Sequence, residues 1–140
     1  MLKKFLLRWW PTCIVVCVIL YATLNDDPVG ADELPAIPYL DKYIHAIMFG
    51  GLFSALCFDY YRAGKSLTTR IKLIFAIAAA ISGGLDELWQ GALENGRAAE
   101  LLDFAADSAG IIIAYFTAPP VIKRVLRKHH QSGTPTRRSV

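Results

Sequence analysis

The sequence predicts an all-α fold, a bundle of four transmembrane helices with both termini in the cytoplasm. Three observations predict it. Of 140 residues, 54% are hydrophobic, which is high for a soluble domain of this length. The apolar residues fall in four blocks rather than at amphipathic spacing. Charge is sharply segregated among the stretches that separate the blocks.

Residues 1–9 read as a basic cytoplasmic N-terminus with Lys3, Lys4 and Arg8. The first span is expected at about 10–24. Trp9 and Trp10 suit a membrane interface, and Pro11 suits a first helical turn. A cleaved signal peptide competes with this reading. The segment Tyr21-Ala22-Thr23-Leu24 lacks a good small-x-small cleavage site, which favours a retained span. Asn25-Asp26-Asp27-Pro28 then marks a turn, and Pro35 and Pro38 discourage helix up to residue 40.

The second span is expected at about 43–60, followed by a short basic connection with Gly64 and Ser66. The third is expected at about 71–89 and the fourth at about 102–118, stopped by Pro119-Pro120. Together, residues 10–118 make the membrane domain. Residues 119–140 read as a basic cytoplasmic tail whose Ser/Thr/Pro-rich end is disordered.

Charge sets the orientation. Among 15 Lys and Arg residues, Lys42 and Arg97 alone lie outside the N-terminus, the middle connection and the tail. Among 12 acidic residues, only Asp59 lies on the basic side, where it reads as an interfacial charge. The positive-inside rule puts both termini in the cytoplasm and loops 25–40 and 91–100 outside. The net charge of +3 is modest, and the basic residues flank apolar segments. Nucleic acid is therefore not an expected partner; the lipid bilayer is. Cys13, Cys17 and Cys57 are odd in number and lie within apolar segments, so they read as buried thiols, with neither a disulfide framework nor a zinc site.

Polar residues then gather at one depth. From Ile71 to Asp86 the rise is roughly 22 Å at about 1.5 Å per residue. Asp86, Glu87 and Gln90 thus close the third span near the outer boundary. Asp41, Lys42 and His45 open the second span at that level, and Asp103 and Asp107 open the fourth. A charge at such a depth costs roughly 2.5–3.5 kcal/mol unless it finds partners or water. Ala76, Ala80, Gly83, Glu87 and Gln90 form one helical stripe, with Glu87 and Gln90 three apart on one face, and Asp103, Asp107, Gly110 and Ala114 form another. Stripes of small residues predict that the third and fourth spans pack through them. A structural ion network and a functional site account for the cluster about equally well. Asp41 and Asp103 also suit the first turn of a helix, where the dipole favours acids.

The motifs Asp41-Lys42-x-x-His45, Asp86-Glu87-x-x-Gln90, Arg97 in a short loop, and Asp103-x-x-x-Asp107-x-x-Gly110 resemble the VanZ-like family. These are small bacterial membrane proteins named for a protein linked to teicoplanin resistance. The resemblance covers about residues 36–118. It implies the bacterial cytoplasmic membrane, a role in the cell envelope or in glycopeptide tolerance, and no established reaction. The family's polar positions fall on Asp41, Lys42, His45, Glu87, Gln90, Arg97, Asp103 and Asp107. Relatives often carry Asn at the position of Asp107.

Two functions follow as expectations. In the first, the outward cluster binds a lipid headgroup, a lipid-linked cell-wall precursor or a glycopeptide, with Lys42 and Arg97 meeting a phosphate. In the second, the protein is a hydrolase or transferase acting on a lipid-linked substrate. His45, Glu87 and Asp107 are then the candidate catalytic residues. A divalent metal held by His45, Glu87, Asp103 and Asp107 is one form of this; His45 as general base, oriented by Asp41, is the other. The sequence requires no metal and leaves the oligomeric state open. A proton-relaying transporter ranks last, because the inner halves of the spans carry no buried charge.

Overall fold

The structure is a computed structural model that describes residues 2–25, 38–92 and 101–132. The described residues form five helices and no strand. They are α1 (Leu2–Arg8), α2 (Trp10–Leu24), α3 (Leu40–Arg62), α4 (Thr69–Ala92) and α5 (Leu101–Ser132). The fold is all-α. Two of these helices, Leu40–Arg62 and the Leu101–Lys128 part of α5, are long and apolar enough to cross a membrane. A shorter apolar helix covers Trp10–Thr23.

The ends of the helices follow from local chemistry. Pro11 occupies the first turn of α2, where a missing N–H costs nothing. Helix α3 ends through Gly64, whose φ of 73° is left-handed and whose N–H donates to Tyr61 O at 2.9 Å. Thr68 precedes α4, and its Oγ1 accepts from Ile71 N–H at 3.3 Å, an N-cap.

Two departures from the expected boundaries concern the termini. The basic N-terminus is itself helical as α1, broken from α2 at Trp9. More notably, Pro119 and Pro120 do not end the fourth segment: α5 continues through both to Ser132. The prolines deprive the carbonyls one turn earlier of their donors. Beyond them, however, Ile122 is buried in the core and Leu126 packs against it, so burial holds the helix together where propensity would end it. The expected disordered end of the tail lies outside the described residues, as do most of the loops 25–40 and 91–100 that were expected to face outward.

Helix α3 is the hub, packing against α2, α4 and α5, most extensively against α5. Phe49, Phe53 and Cys57 lie along its inner face with no exposed surface, among Ile19 of α2, Ala79 of α4 and Ile111 of α5. Glycine makes the α3–α5 contact close. A Cβ on Gly110 would come 2.0 Å from Ala46 O, and one on Gly50 would come 2.8 Å from Gly110 O. The expected packing of the two small-residue stripes holds in part. Gly110 faces α3, while the α4–α5 contact brings Gly83 against Asp107.

Around this apolar core, large apolar side chains are exposed and several acids are buried. Ile14, Val18, Ile77, Ile81, Ile113 and Phe116 are exposed, whereas Asp59, Asp86, Glu87 and Asp107 are buried. The cysteines divide: Cys57 is buried and its thiol free, but Cys17 is exposed, contrary to expectation.

Candidate functional site

Three helices supply the site. Helix α3 carries Asp41, Lys42 and His45 in its first two turns, α5 carries Asp103 and Asp107 in its own, and α4 arrives from the opposite direction with Asp86, Glu87 and Gln90 in its last turns. Antiparallel chain direction brings all three to one end of the bundle.

At the centre, His45 Nδ1 lies 3.0 Å from Asp107 Oδ1 and 3.6 Å from Glu87 Oε1. The three side chains expose 11%, 0% and 9% of their surface, so water screens these charges little. One donor atom from each residue lies within 4.8 Å of the others, a spacing that would suit a shared ion. Phe49 stacks under His45, with ring centroids 6.5 Å apart. Gly83 makes room for Asp107, since a Cβ there would come 2.6 Å from Asp107 Oδ2. That Oδ2 has no hydrogen-bond partner among the described residues.

Toward the rim, Lys42 Nζ bridges Asp103 Oδ1 and Asp41 Oδ2, each at 2.7 Å. The Asp103 side chain is 13% exposed and that of Asp41 is 60% exposed, so the inner bridge is the shielded one. Asp41 therefore does not orient His45, as the sequence suggested; Asp107 does. Asp41 is occupied by its neighbour Lys42. Lys42 in turn is engaged by carboxylates rather than held open for a phosphate.

On the α2 side, Asp86 accepts hydrogen bonds from Thr23 Oγ1 and, at 2.9 Å, from Gln90 Nε2. Gln90 thus serves Asp86, although spacing had aligned it with Glu87. Thr23 was not legible as a site residue. Its only signal was a hydroxyl near the C-terminal end of a largely apolar segment. Beside this pair, a cleft of about 460 Å³ opens between α2, α3 and α4. Its walls are apolar, with Ile19, Leu20, Leu52 and Leu85 among them, and Thr23 and Asp86 supply its polar edge.

Arg97 lies outside the described residues. Ser108, next to Asp107, donates its hydroxyl to Phe104 O at 2.9 Å within its own helix.

At the other end of the bundle, Asp59, expected to be an interfacial charge, is wholly buried among its neighbours. Its Oδ2 accepts from Thr12 N–H at 3.1 Å and from Thr12 Oγ1 at 2.7 Å. It therefore caps the start of α2, which has no cap of its own. Arg62, 3.2 Å from Asp59 Oδ1, donates to the carbonyls of Leu7 and Arg8 that end α1.

Neither a protein-family model, nor a curated protein, nor a solved structure matches this chain.

Proposed function

We propose that this chain is a VanZ-like, multi-pass protein of the bacterial cytoplasmic membrane, N-in and C-in. Its outward polar cluster binds the headgroup of an envelope lipid or lipid-linked precursor and so affects envelope properties or antibiotic tolerance. A glycopeptide is the alternative ligand. Support for the membrane comes from the apolar exteriors of α2, α4 and α5 combined with buried carboxylates. Lipid solvates the former, and the bundle interior must satisfy the latter. The observation that carries the ligand class is the cleft. Apolar walls that end at Thr23 and Asp86, next to the His45 cluster, match an amphiphile with its chain along α2 and its headgroup at the polar edge.

Native mass spectrometry of the detergent-purified protein tests this. A phospholipid or lipid-linked precursor should be retained by the wild type. It should be lost when Leu20→Trp fills the cleft or when Asp86→Asn alters its edge. A wild type that carries no lipid under conditions that preserve its fold overturns the reading.

The His45–Asp107 pair favours a second reading, a hydrolase or transferase. An imidazole held at Nδ1 by a buried carboxylate presents Nε2 as a general base. The Ser108 hydroxyl is tied to its own helix, so water or a substrate hydroxyl would be the nucleophile.

A further inference from the structure

We infer that His45, Glu87 and Asp107 bind one divalent first-row transition-metal ion in the interior of the bundle. The inference deepens the reading above, on which its role toward a headgroup rests. A cation here would meet the phosphate that the engaged Lys42 does not.

Three observations converge on it. The first is the donor set. One imidazole nitrogen and two carboxylate oxygens, from three different helices, lie within 4.8 Å of one another. Mixed nitrogen and oxygen donors suit zinc and its neighbours. Calcium and magnesium favour more oxygens and no imidazole. Three protein ligands leave a coordination position for water or a ligand oxygen.

The second is the Asp107 carboxylate. It is fully buried, one oxygen meets His45 of α3, and the other lies over Gly83 of α4 with no hydrogen-bond partner among the described residues. A buried carboxylate oxygen in that state calls for a proton, a water or a cation, and a cation is the partner that also serves the neighbouring Glu87 carboxylate. Gly83 lies one turn from Glu87 on the same helix, so this carboxylate addresses the space that Glu87 also faces.

The third is charge balance. Among the described residues, a protonated His45 would be the one positive charge within 4 Å of both the Asp107 and the Glu87 carboxylates. Lys42 is already bridged to Asp41 and Asp103, and Asp86 adds another buried acid beside them. One divalent ion in place of the proton between His45 and Asp107 neutralises both carboxylates and leaves the imidazole neutral, the form that coordinates.

The experiment is a Co²⁺ titration of the purified protein after chelator treatment and dialysis. One equivalent per chain should bind, with visible d–d absorption that Zn²⁺ abolishes. Glu87→Gln and Asp107→Asn keep side-chain shape and remove a ligand. Each should weaken binding beyond the roughly 10–100-fold typical of losing an outer-shell partner. Cys13→Ala with Cys17→Ala should leave the spectrum intact, separating this site from thiol binding. A folded wild type that takes up no Co²⁺ overturns the inference, as does an unchanged spectrum in both conservative variants. Should those variants not fold, the wild type decides alone. Zn²⁺ must then raise its unfolding temperature in proportion to the logarithm of free ion, and an unchanged temperature overturns the site. Lipid retention is read in the same preparation by mass spectrometry. Metal without lipid removes only the lipid reading, and lipid without metal removes only this one.

Discussion

Gly83 and Asp107 fit as socket and plug: a single added carbon on Gly83 would stand 2.6 Å from the Asp107 carboxylate. The site's buried acid and the α4–α5 contact thus depend on one missing side chain. Gly83→Ala should destabilise the protein by about 1–3 kcal/mol, the usual cost of overpacking. Gly51→Ala is the matched comparison, because a Cβ there meets nothing within 4 Å. It should be neutral or stabilise by roughly 0.5–1 kcal/mol through helix propensity. Unfolding in detergent reads both, and equal effects would show that Gly83 holds no special place.

The α3–α5 crossing predicts a harsher result. At Gly110 the obstructing atom is the backbone carbonyl of Ala46, 2.0 Å from a built Cβ. A side chain can rotate away, but a helix backbone must move as a whole. Gly110→Ala should therefore cost at or above the upper end of the roughly 1–3 kcal/mol overpacking range. Because His45 lies beside Ala46, the same change should also disturb the His45–Asp107 distance. An imidazole signal in NMR identical to wild type would count against that coupling.

What was legible in the sequence, and what was not, divides along physical lines. Long apolar blocks reveal helices because burial or lipid, not local propensity, stabilises them; α2, α3 and α4 lie close to where those blocks are. Four-residue spacing placed Asp103 and Asp107 on one face, and opposite chain directions placed Glu87 at the level of His45. Pairings were harder. The partners of Asp59 were hidden because nothing in one dimension shows that the start of α2 lacks a cap and lies beside it. Gly110 looked like a partner for α4 because a stripe of small residues does not say which neighbour it meets. The prolines at 119 and 120 are a local stop signal, overridden by the burial of Ile122 beyond them.

The capping role of Asp59 is testable by a double-mutant cycle. Asp59→Ala strands the Thr12 N–H and removes the carboxylate that pairs with Arg62. A cap alone contributes roughly 0.5–2 kcal/mol, and the buried ion pair should take the loss to the top of that range. Thr12→Val removes only the hydroxyl bond. The pair should couple by about 0.5–3 kcal/mol, as contacting residues do. Additive effects would show that the bond contributes nothing.

Lys42 bridges two acids that should differ in weight. Asp41 is mostly exposed, so Asp41→Asn should cost no more than roughly 0.2–1 kcal/mol and lose its effect in high salt. Asp103 and Lys42 are both largely shielded, at 13% and 17% side-chain exposure, so Asp103→Asn should cost more and respond less to salt. Unfolding of both variants at low and high ionic strength checks the ranking. A larger, salt-insensitive loss at Asp41 would reverse the assignment of inner and outer bridge.

The orientation of the chain is the last prediction, and it bears on which side a ligand arrives from. Ser66 lies in the exposed basic connection between α3 and α4, and Asp41 lies at the opposite end of α3. Each is replaced singly by cysteine in a background carrying Cys13→Ala, Cys17→Ala and Cys57→Ala. A membrane-impermeant maleimide applied to spheroplasts should label Asp41→Cys at once and Ser66→Cys only after lysis. That pattern is what N-in and C-in topology requires, because the cationic connection stays cytoplasmic. The reverse pattern would invert the protein and turn the His45 cluster toward the cytoplasm. Labelling of neither before lysis and of both after it would remove the spanning reading altogether, since both ends of α3 would then lie on one side.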